Sequence, residues 1–384
     1  MHGSLSQRVL WVNPGLRFGL GQARTIAMDM PTLGGKVLIT GASGFIGRRL
    51  RDALFASGCE IVSVHRAGSA PSKVGRCVEV DYSQVAELER IVDAEKPDYV
   101  VHLAGVTKGS SYEDFRRGNV MPTRNLLTAV RREHPMIKRF VLISSLAAYG
   151  PSATVAPHRE SDPPRPIEHY GESKLEAEQV VQQEAAGVRW TIVRPAGVYG
   201  PGDVDYFNLF QLAALGWNVY FGNRARCMSV IYVDDCVRGI VEAARHEQTV
   251  RRGYFLANEE RVTWERFQSE IVHAVGKPVR TLDLPQQTMT AAAVFGEIAT
   301  RIDRQPRLLN LQKARMGAQQ AWTCSADEAR RDFGFAPEVD LPEGIRRTHE
   351  WYAENDWYLS SNPRELLSPS SLRGLLRRFR RSRG

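Results

Sequence analysis

No stretch of roughly 18 unbroken apolar residues occurs in the chain, which argues against a membrane-spanning helix. Cysteine is sparse: five in 384 residues, Cys59, Cys77, Cys227, Cys236 and Cys324, odd in number and without a C-x-x-C spacing. That pattern speaks against a dense disulfide scaffold or a cysteine-built metal site, so reduced thiols, no metal and a cytoplasmic setting are expected. The first 30 residues lack the compact apolar segment and small-residue cleavage site of a secretory signal. Acids are nearly missing from the two ends. Residues 373–384 hold six arginines and no Asp or Glu, and residues 1–30 set Arg8, Arg17 and Arg24 against Asp29 alone. These ends account for the net charge of +8, and the near-neutral body between them argues against nucleic acid as a partner.

From residue 36 to 194 short apolar runs alternate with helical patterns, the signature of βαβ units and a parallel sheet. The expected strands are Lys36–Thr40, Glu60–His65, Cys77–Val80, Tyr99–Leu103, Arg139–Ser144 and Trp190–Arg194. Runs such as "YVVHL" and "FVLIS" are apolar nearly throughout, as expected where helices cover both faces of a sheet. The expected fold is therefore α/β, a Rossmann-type doubly wound parallel sheet. After Arg194 the rhythm breaks into Pro- and Gly-rich loops, and helices predominate from Trp264, so a smaller, mostly helical C-terminal substrate lobe is expected. This divides the chain into an extension or early start at 1–34, a cofactor-binding domain at 35–200, a lobe at 201–359 whose chain can cross back to the sheet, and a basic, disordered tail at 360–384.

Gly41, Gly44 and Gly47 follow the strand "KVLIT" and open a helix at Phe45. Glycine permits a tight turn, close approach of a diphosphate to the main chain, and close packing of helix on strand. The free N–H groups of the helix start then face an anion. A dinucleotide is the natural ligand in this βαβ context, with Ser43, Phe45 and Ile46 in the same binding turn. A carboxylate at the end of the second strand would select a ribose 2′-hydroxyl, whereas "IVSVHRAG" offers His65 and Arg66. NADP is thus the expected cofactor, with NAD as the alternative.

Tyr170 and Lys174 in "HYGESKLEAEQ" stand four residues apart at the start of a helix, one turn from each other on one face. A nearby ammonium favours phenolate, so the pair predicts a tyrosine with a lowered pKa, able to move protons near neutrality. Ser145 in "FVLISSLAAYG" lies at the carboxyl end of the preceding strand, the edge where such sheets place ligands.

These segments, with "DYS" at Asp81, "HLAGVT", "NVMPTRNLL", "VRPAGVYGPG", "IYVDD" and "DEARRDFGFAPEVDLPEGIRRTHEWY", resemble the extended short-chain dehydrogenase/reductases, the NAD(P)-dependent epimerase/dehydratase group, from about residue 35 to 358. The resemblance implies a Ser145–Tyr170–Lys174 mechanism. Ser145 would hydrogen-bond the substrate oxygen, Tyr170 exchange its proton, and Lys174 hold the ribose. Ser144 is the rival for the serine role. It further implies that Asp81 meets the adenine amino group, that Tyr82 binds the cofactor, that Leu103, Ala104 and Gly105 line it, and that Pro195 and Val198 flank the nicotinamide amide. Asn119 has either a bracing or a water-relay role, His102 reads as a satisfied sheet histidine, and Asp234–Asp235 as helix caps. A homodimer through the helices preceding the fifth and sixth strands follows from the same likeness.

Departures from the family pattern narrow the activity. Dehydratases of the group place Asp-Glu after the catalytic hydroxyl residue, where this chain has Leu146 and Ala147. Sugar-nucleotide epimerases place Asn where this chain has Gly197, and Arg where it has Met228, both touching the ligand diphosphate. Arg224 and Arg226 stand close by as substitutes. Apolar segments "DYFNLFQLAALGWNVYF" and "TMTAAAVFGEIATRI" read as lobe packing or as pocket walls. The expectation is an NADP(H)-preferring oxidoreductase that interconverts a secondary alcohol and a ketone on a sterol- or lipid-like substrate, similar to 3β-hydroxysteroid dehydrogenases and dihydroflavonol reductases. A nucleotide-sugar epimerase and a non-catalytic cofactor-binding scaffold are the alternatives, and the basic tail allows peripheral contact with a membrane.

Overall fold

A computed structural model describes residues 31–68, 72, 74–153, 156–288, 290, 291, 293 and 311–360. The extension at 1–30, the tail at 361–384 and most of "TMTAAAVFGEIATRI" lie outside the described residues. No helix among the described residues is long and apolar enough to cross a membrane.

Seven strands form the main sheet: β1 (Lys36–Thr40), β2 (Glu60–His65), β3 (Arg76–Glu79), β4 (Tyr99–His102), β5 (Arg139–Ile143), β6 (Trp190–Pro195) and β10 (Arg252–Leu256). Their order is β10-β6-β5-β4-β1-β2-β3 and every pairing is parallel. β1, β4, β5 and β6 are almost wholly buried because helices cover both faces. One face packs under the helices Phe45–Ala56 and Val233–Arg245, around Leu50, Leu54, Ile240 and Phe335. The other packs under Val85–Glu95, Met121–Glu133 and His169–Glu184, around Val92, Leu126, Phe140 and Val181. The expected strands stand within a residue of their places. β10 is the correction: "RGYFL" lies beyond the point where the βα rhythm breaks, yet the chain returns after the helix Val233–Arg245 to pair along β6.

The lobe has its own aromatic core, in which Phe207 and Phe210 meet Tyr352 and Tyr199 meets Phe267. "DYFNLFQLAAL" therefore supplies lobe packing. Short strands join its helices: β7 (Gly197–Tyr199) and β11 (Arg261–Thr263) both pair with β9 (Cys227–Tyr232). Because β7 begins two residues after Pro195, the lobe is rooted at the carboxyl edge of the sheet.

The strand order reverses between β1 and β4, the point at which sheets of this type open a crevice beyond the carboxyl ends of their strands. Gly41 follows β1 there and Leu103 follows β4.

Candidate active site

The three glycines do different work. Gly41 has φ of +70°, and a Cβ on it would meet the backbone of Ala104 and Leu103 at 2.7 and 2.8 Å. A Cβ on Gly47 would stand 2.1 Å from the Gly41 carbonyl oxygen, so it sets how closely the helix Phe45–Ala56 lies on the turn. Gly44 needs neither freedom: its φ is −72°, and its Cβ would meet only the Gly41 oxygen, at 3.2 Å. What the absent side chain leaves clear is the helix start, where Gly44 is the N-cap and no side chain caps the free N–H groups.

A cavity of about 1020 Å³ opens on that turn, and Gly41, Ser43, Gly44, His65, Arg66, Asp81, Tyr82, Leu103, Ala104 and Gly105 all line it. Its size and its bare helix start fit a dinucleotide. Phe45 and Ile46 turn their side chains to the lobe core and the sheet core, leaving only main chain to the turn. Tyr82 donates to the Val64 carbonyl at 3.0 Å, and its own carbonyl accepts from Asn125. Asp81 accepts from the Ser83 N–H at 2.9 Å, which holds its carboxyl below the usual range. Glu79, paired in register with His65, also lines the cavity; sequence reading did not weigh this carboxylate.

Beneath the floor, His102 is buried and neutral. Thr123 Oγ1 donates to the Asn119 carbonyl, so it accepts from His102 Nε2 at 3.1 Å, and Thr40 Oγ1 donates to Nδ1 at 2.7 Å. Burial drives the ring down to about 3. Thr40 Oγ1 also accepts from the Ala104 N–H, which ties β1 to the cavity wall. Asn119 sits in a π-helical turn, Arg116–Val120, a deformation that often marks functional sites. Its amide clasps the Val106 backbone at 2.7 and 3.1 Å and reaches Ser173 at 2.8 Å, a bracing role.

Ser145 follows β5 and caps the short helix Leu146–Ala148, accepting from the Ala147 N–H at 3.1 Å. Its hydroxyl stands close enough to the Tyr170 phenol to pull the phenol's pKa down. Ser144, the rival, is buried and its hydroxyl has no partner among the described residues. Tyr170 begins the helix His169–Glu184, and Lys174 Nζ lies 5.9 Å from its ring centroid. Lys174 donates to the Ile143 carbonyl at 2.9 Å and lies 3.5 Å from where a Cβ on Gly105 would stand. The trio therefore gathers beside the cavity wall at Gly105. Pro195 ends β6 and Val198 lies in β7 on the same edge, outside the cavity lining.

Electrostatics correct one expectation. The Tyr170 phenol is not lowered: burial pushes it up to about 12, and the counter-pull comes from Ser145. Burial takes Lys174 down to about 8, opposed by Glu178. Glu178 stands one turn beyond Lys174 and holds Arg194 at 2.8–3.0 Å, with side chains 2% and 5% exposed. This pair joins the helix of Tyr170 to the strand that ends at Pro195. An arginine within the apolar run "WTIVRP" was the available signal for it. Glu168 gave no signal, since glutamate is not a favoured N-cap; it accepts from the Tyr170 and Gly171 N–H groups at 2.8 and 2.6 Å. Gly171 lets the helix press on the Ala147 carbonyl, where a Cβ would stand 2.2 Å away.

Two other readings change. Asp234 and Asp235 do not cap a helix: Asp234 holds Arg49 at 2.7–2.8 Å, and Asp235 accepts from the Glu338 and Val339 N–H groups. Arg224 is engaged by Asp283 and Glu265, while Arg226 lies over the Trp264 ring at 4.9 Å.

Residues 37–256 match the model of the NAD dependent epimerase/dehydratase family. The chain is 30% identical to a ceramide reductase of Caulobacter vibrioides over 335 residues, 84% of this chain and 96% of that protein. It is 27% identical to a 2-alkyl-3-oxoalkanoate reductase of Stenotrophomonas maltophilia, over 81% of this chain and 98% of that protein. The solved structure of a UDP-glucose 4-epimerase from Thermotoga maritima has the same fold, with a TM-score of 0.69 at 22% identity, covering 83% of this chain and 99% of that one. With its seven parallel strands, glycine turn and extended match to such enzymes, the chain belongs to the NAD-dependent epimerase/dehydratase family and is an NAD(P)-dependent oxidoreductase.

Proposed function

We propose that the protein is an NADP(H)-preferring reductase that interconverts a ketone and a secondary alcohol on a hydrophobic, lipid- or sterol-like substrate. The observation that carries this is the half-buried phenol of Tyr170, with Ser145 drawing on it and Lys174 beside it at the cavity wall formed by Gly105. A phenol held up to about 12 is protonated at neutral pH, so it serves as an acid toward the oxygen of a ketone under reduction. Ser145 retains an O–H for the same oxygen, and Lys174 offers its ammonium to the ribose. A bound nicotinamide would supply the hydride, and Pro195 and Val198 would flank it.

Leu146 and Ala147 are buried and apolar, which gives dehydration no acid or base at those places. By their names, two of the relatives reduce a ceramide and a 2-alkyl-3-oxoalkanoate, a lipid and an oxo acid with an alkyl chain, and this supports the substrate class. Arg66 lines the cavity without an acidic partner among the described residues, which supports a 2′-phosphate. The substrate is a small molecule and nucleic acid is not a partner. The enzyme acts in the cytoplasm as a homodimer through the helices Met121–Glu133 and His169–Glu184, with the basic tail available to a membrane surface.

NADPH consumption by the purified protein, with a keto-lipid and a keto-sterol as substrates and UDP-glucose epimerisation assayed beside them, tests the reading. Turnover of a hydrophobic ketone is expected. Epimerisation of UDP-glucose without ketone turnover would replace this reading with the epimerase one.

A further inference from the structure

The charged side chains that line the cavity beside the glycine turn are Arg66, Glu79, Asp81, Glu87 and Arg117. Three of them already have partners. Asp81 accepts from the Ser83 N–H, Glu87 accepts from the Asp81 N–H at 3.0 Å, and Arg117 is held by Asp114 at 2.8 Å. The side chains of Arg66 and Glu79 have no hydrogen-bond or ion-pair partner among the described residues, and they are not paired with each other. The sheet fixes where Glu79 stands. It ends β3 opposite His65 in the parallel register, and the ladder runs one bond further, from the Val80 N–H to the His65 carbonyl at 2.8 Å. Arg66 is the residue after His65. Two free charges of opposite sign therefore occupy the adjacent ends of β2 and β3.

The strand order says which part of a dinucleotide meets them. The glycine turn follows β1, and Ser145 stands beyond β5, two strands to one side. β2 and β3 lie on the other side, roughly 5 and 10 Å from β1 at ordinary strand spacing. A dinucleotide with its diphosphate on the helix start and its nicotinamide toward Ser145 thus lays its second nucleoside over the ends of β2 and β3. That nucleoside carries the group that separates NADP from NAD, a ribose 2′-phosphate in place of a hydroxyl. A cation suits the phosphate; a carboxylate accepts from the free hydroxyl and repels the phosphate charge. Sheets of this type draw the one or the other from beyond the second strand, whereas here the cation comes from β2 and a carboxylate is added by its neighbour β3.

We infer, resting on the reading of Arg66 as the partner of a 2′-phosphate, that Glu79 is a second specificity-determining residue for the cofactor. Its carboxylate accepts from the ribose hydroxyl of NAD and opposes the 2′-phosphate of NADP. The two residues act in contrary directions on one group, so the protein binds both cofactors, and Glu79 narrows the lead that Arg66 gives to NADP. Both side chains are exposed, so the repulsion is screened by salt.

The test is calorimetric titration of NADP and of NAD into wild type, Glu79→Gln and Glu79→Ala, at low and at high salt. Glu79→Gln removes the charge and keeps an acceptor, so NADP should bind roughly fivefold more tightly at low salt while NAD changes little. Glu79→Ala should tighten NADP likewise and weaken NAD about threefold. The gain on NADP should shrink at high salt; a gain that persists there reports repacking of β3 and overturns the inference. Equal changes in the two affinities, or no change in either, would also overturn it. Arg66→Ala tells the two readings apart. If that variant binds NADP as wild type does, the reading of Arg66 fails by itself; weaker NAD binding by Glu79→Ala then still upholds the role of Glu79, and unchanged NAD binding ends it.

Discussion

The two ends of the crevice are built on opposite principles. At the end beyond β2 and β3, Arg66, Asp81 and Glu79 face an open cavity, and their charges act at the surface. At the Tyr170 end, Lys174 is buried and Tyr170 half-buried, and loss of water moves both from their ordinary values, the phenol up to about 12 and the ammonium down to about 8. One end displays charge; the other shifts proton affinity by removing water. It follows that substitutions at the Tyr170 end should cost chemistry, while those at the open end should cost affinity or preference.

The largest effect is expected from Tyr170→Phe, which should lower kcat for ketone reduction by roughly 10³-fold while NADPH binding, measured by fluorescence titration, stays as in wild type. Retained turnover would break the comparison at its centre. Next is Glu178→Gln. It strips the counter-charge from a buried arginine, so thermal or urea unfolding should show a loss of about 3 kcal/mol. It also leaves the desolvation of Lys174 unopposed, while Tyr170, His102 and the Ile143 carbonyl remain around the amine. The alkaline limb of the rate should therefore move to lower pH, a shift that a merely structural ion pair would not produce.

At the turn between the two ends, Gly44→Ala should leave the melting temperature close to wild type, since its Cβ meets only one atom at 3.2 Å. Cofactor affinity should nonetheless fall about tenfold, near 1.4 kcal/mol, because the methyl group stands where the diphosphate meets the helix start. Unchanged Kd would remove the helix start from the binding site. The smallest effect is expected from Arg66→Asp, which should move preference from NADPH toward NADH by a few-fold, with kcat preserved; an unmoved ratio would shift attention to His65.

Most of the residues that line the open end of the crevice were legible in the sequence, because glycine spacing and the ends of strands mark them locally, while Glu79 was not. The six strands from Lys36 to Arg194 were legible too, since a strand buried on both faces must be apolar throughout. β10 was not, because the chain leaves the sheet after β6 and returns only after the helix Val233–Arg245, a long-range pairing with no local mark. Ser145, Tyr170 and Lys174 could be chosen from sequence, but their proton affinities could not. Spacing places an ammonium near a phenol; it does not say how much water either loses on folding. The same holds for Glu178 and Arg194, whose pairing crosses from helix to strand.

The most direct test is the pH dependence of kcat for ketone reduction at saturating NADPH. A protonated Tyr170 and a charged Lys174 predict a plateau through neutral pH and a fall as pH rises past about 8. A rate that instead climbs with pH across that range would mean that phenolate is the working form, and would contradict the account.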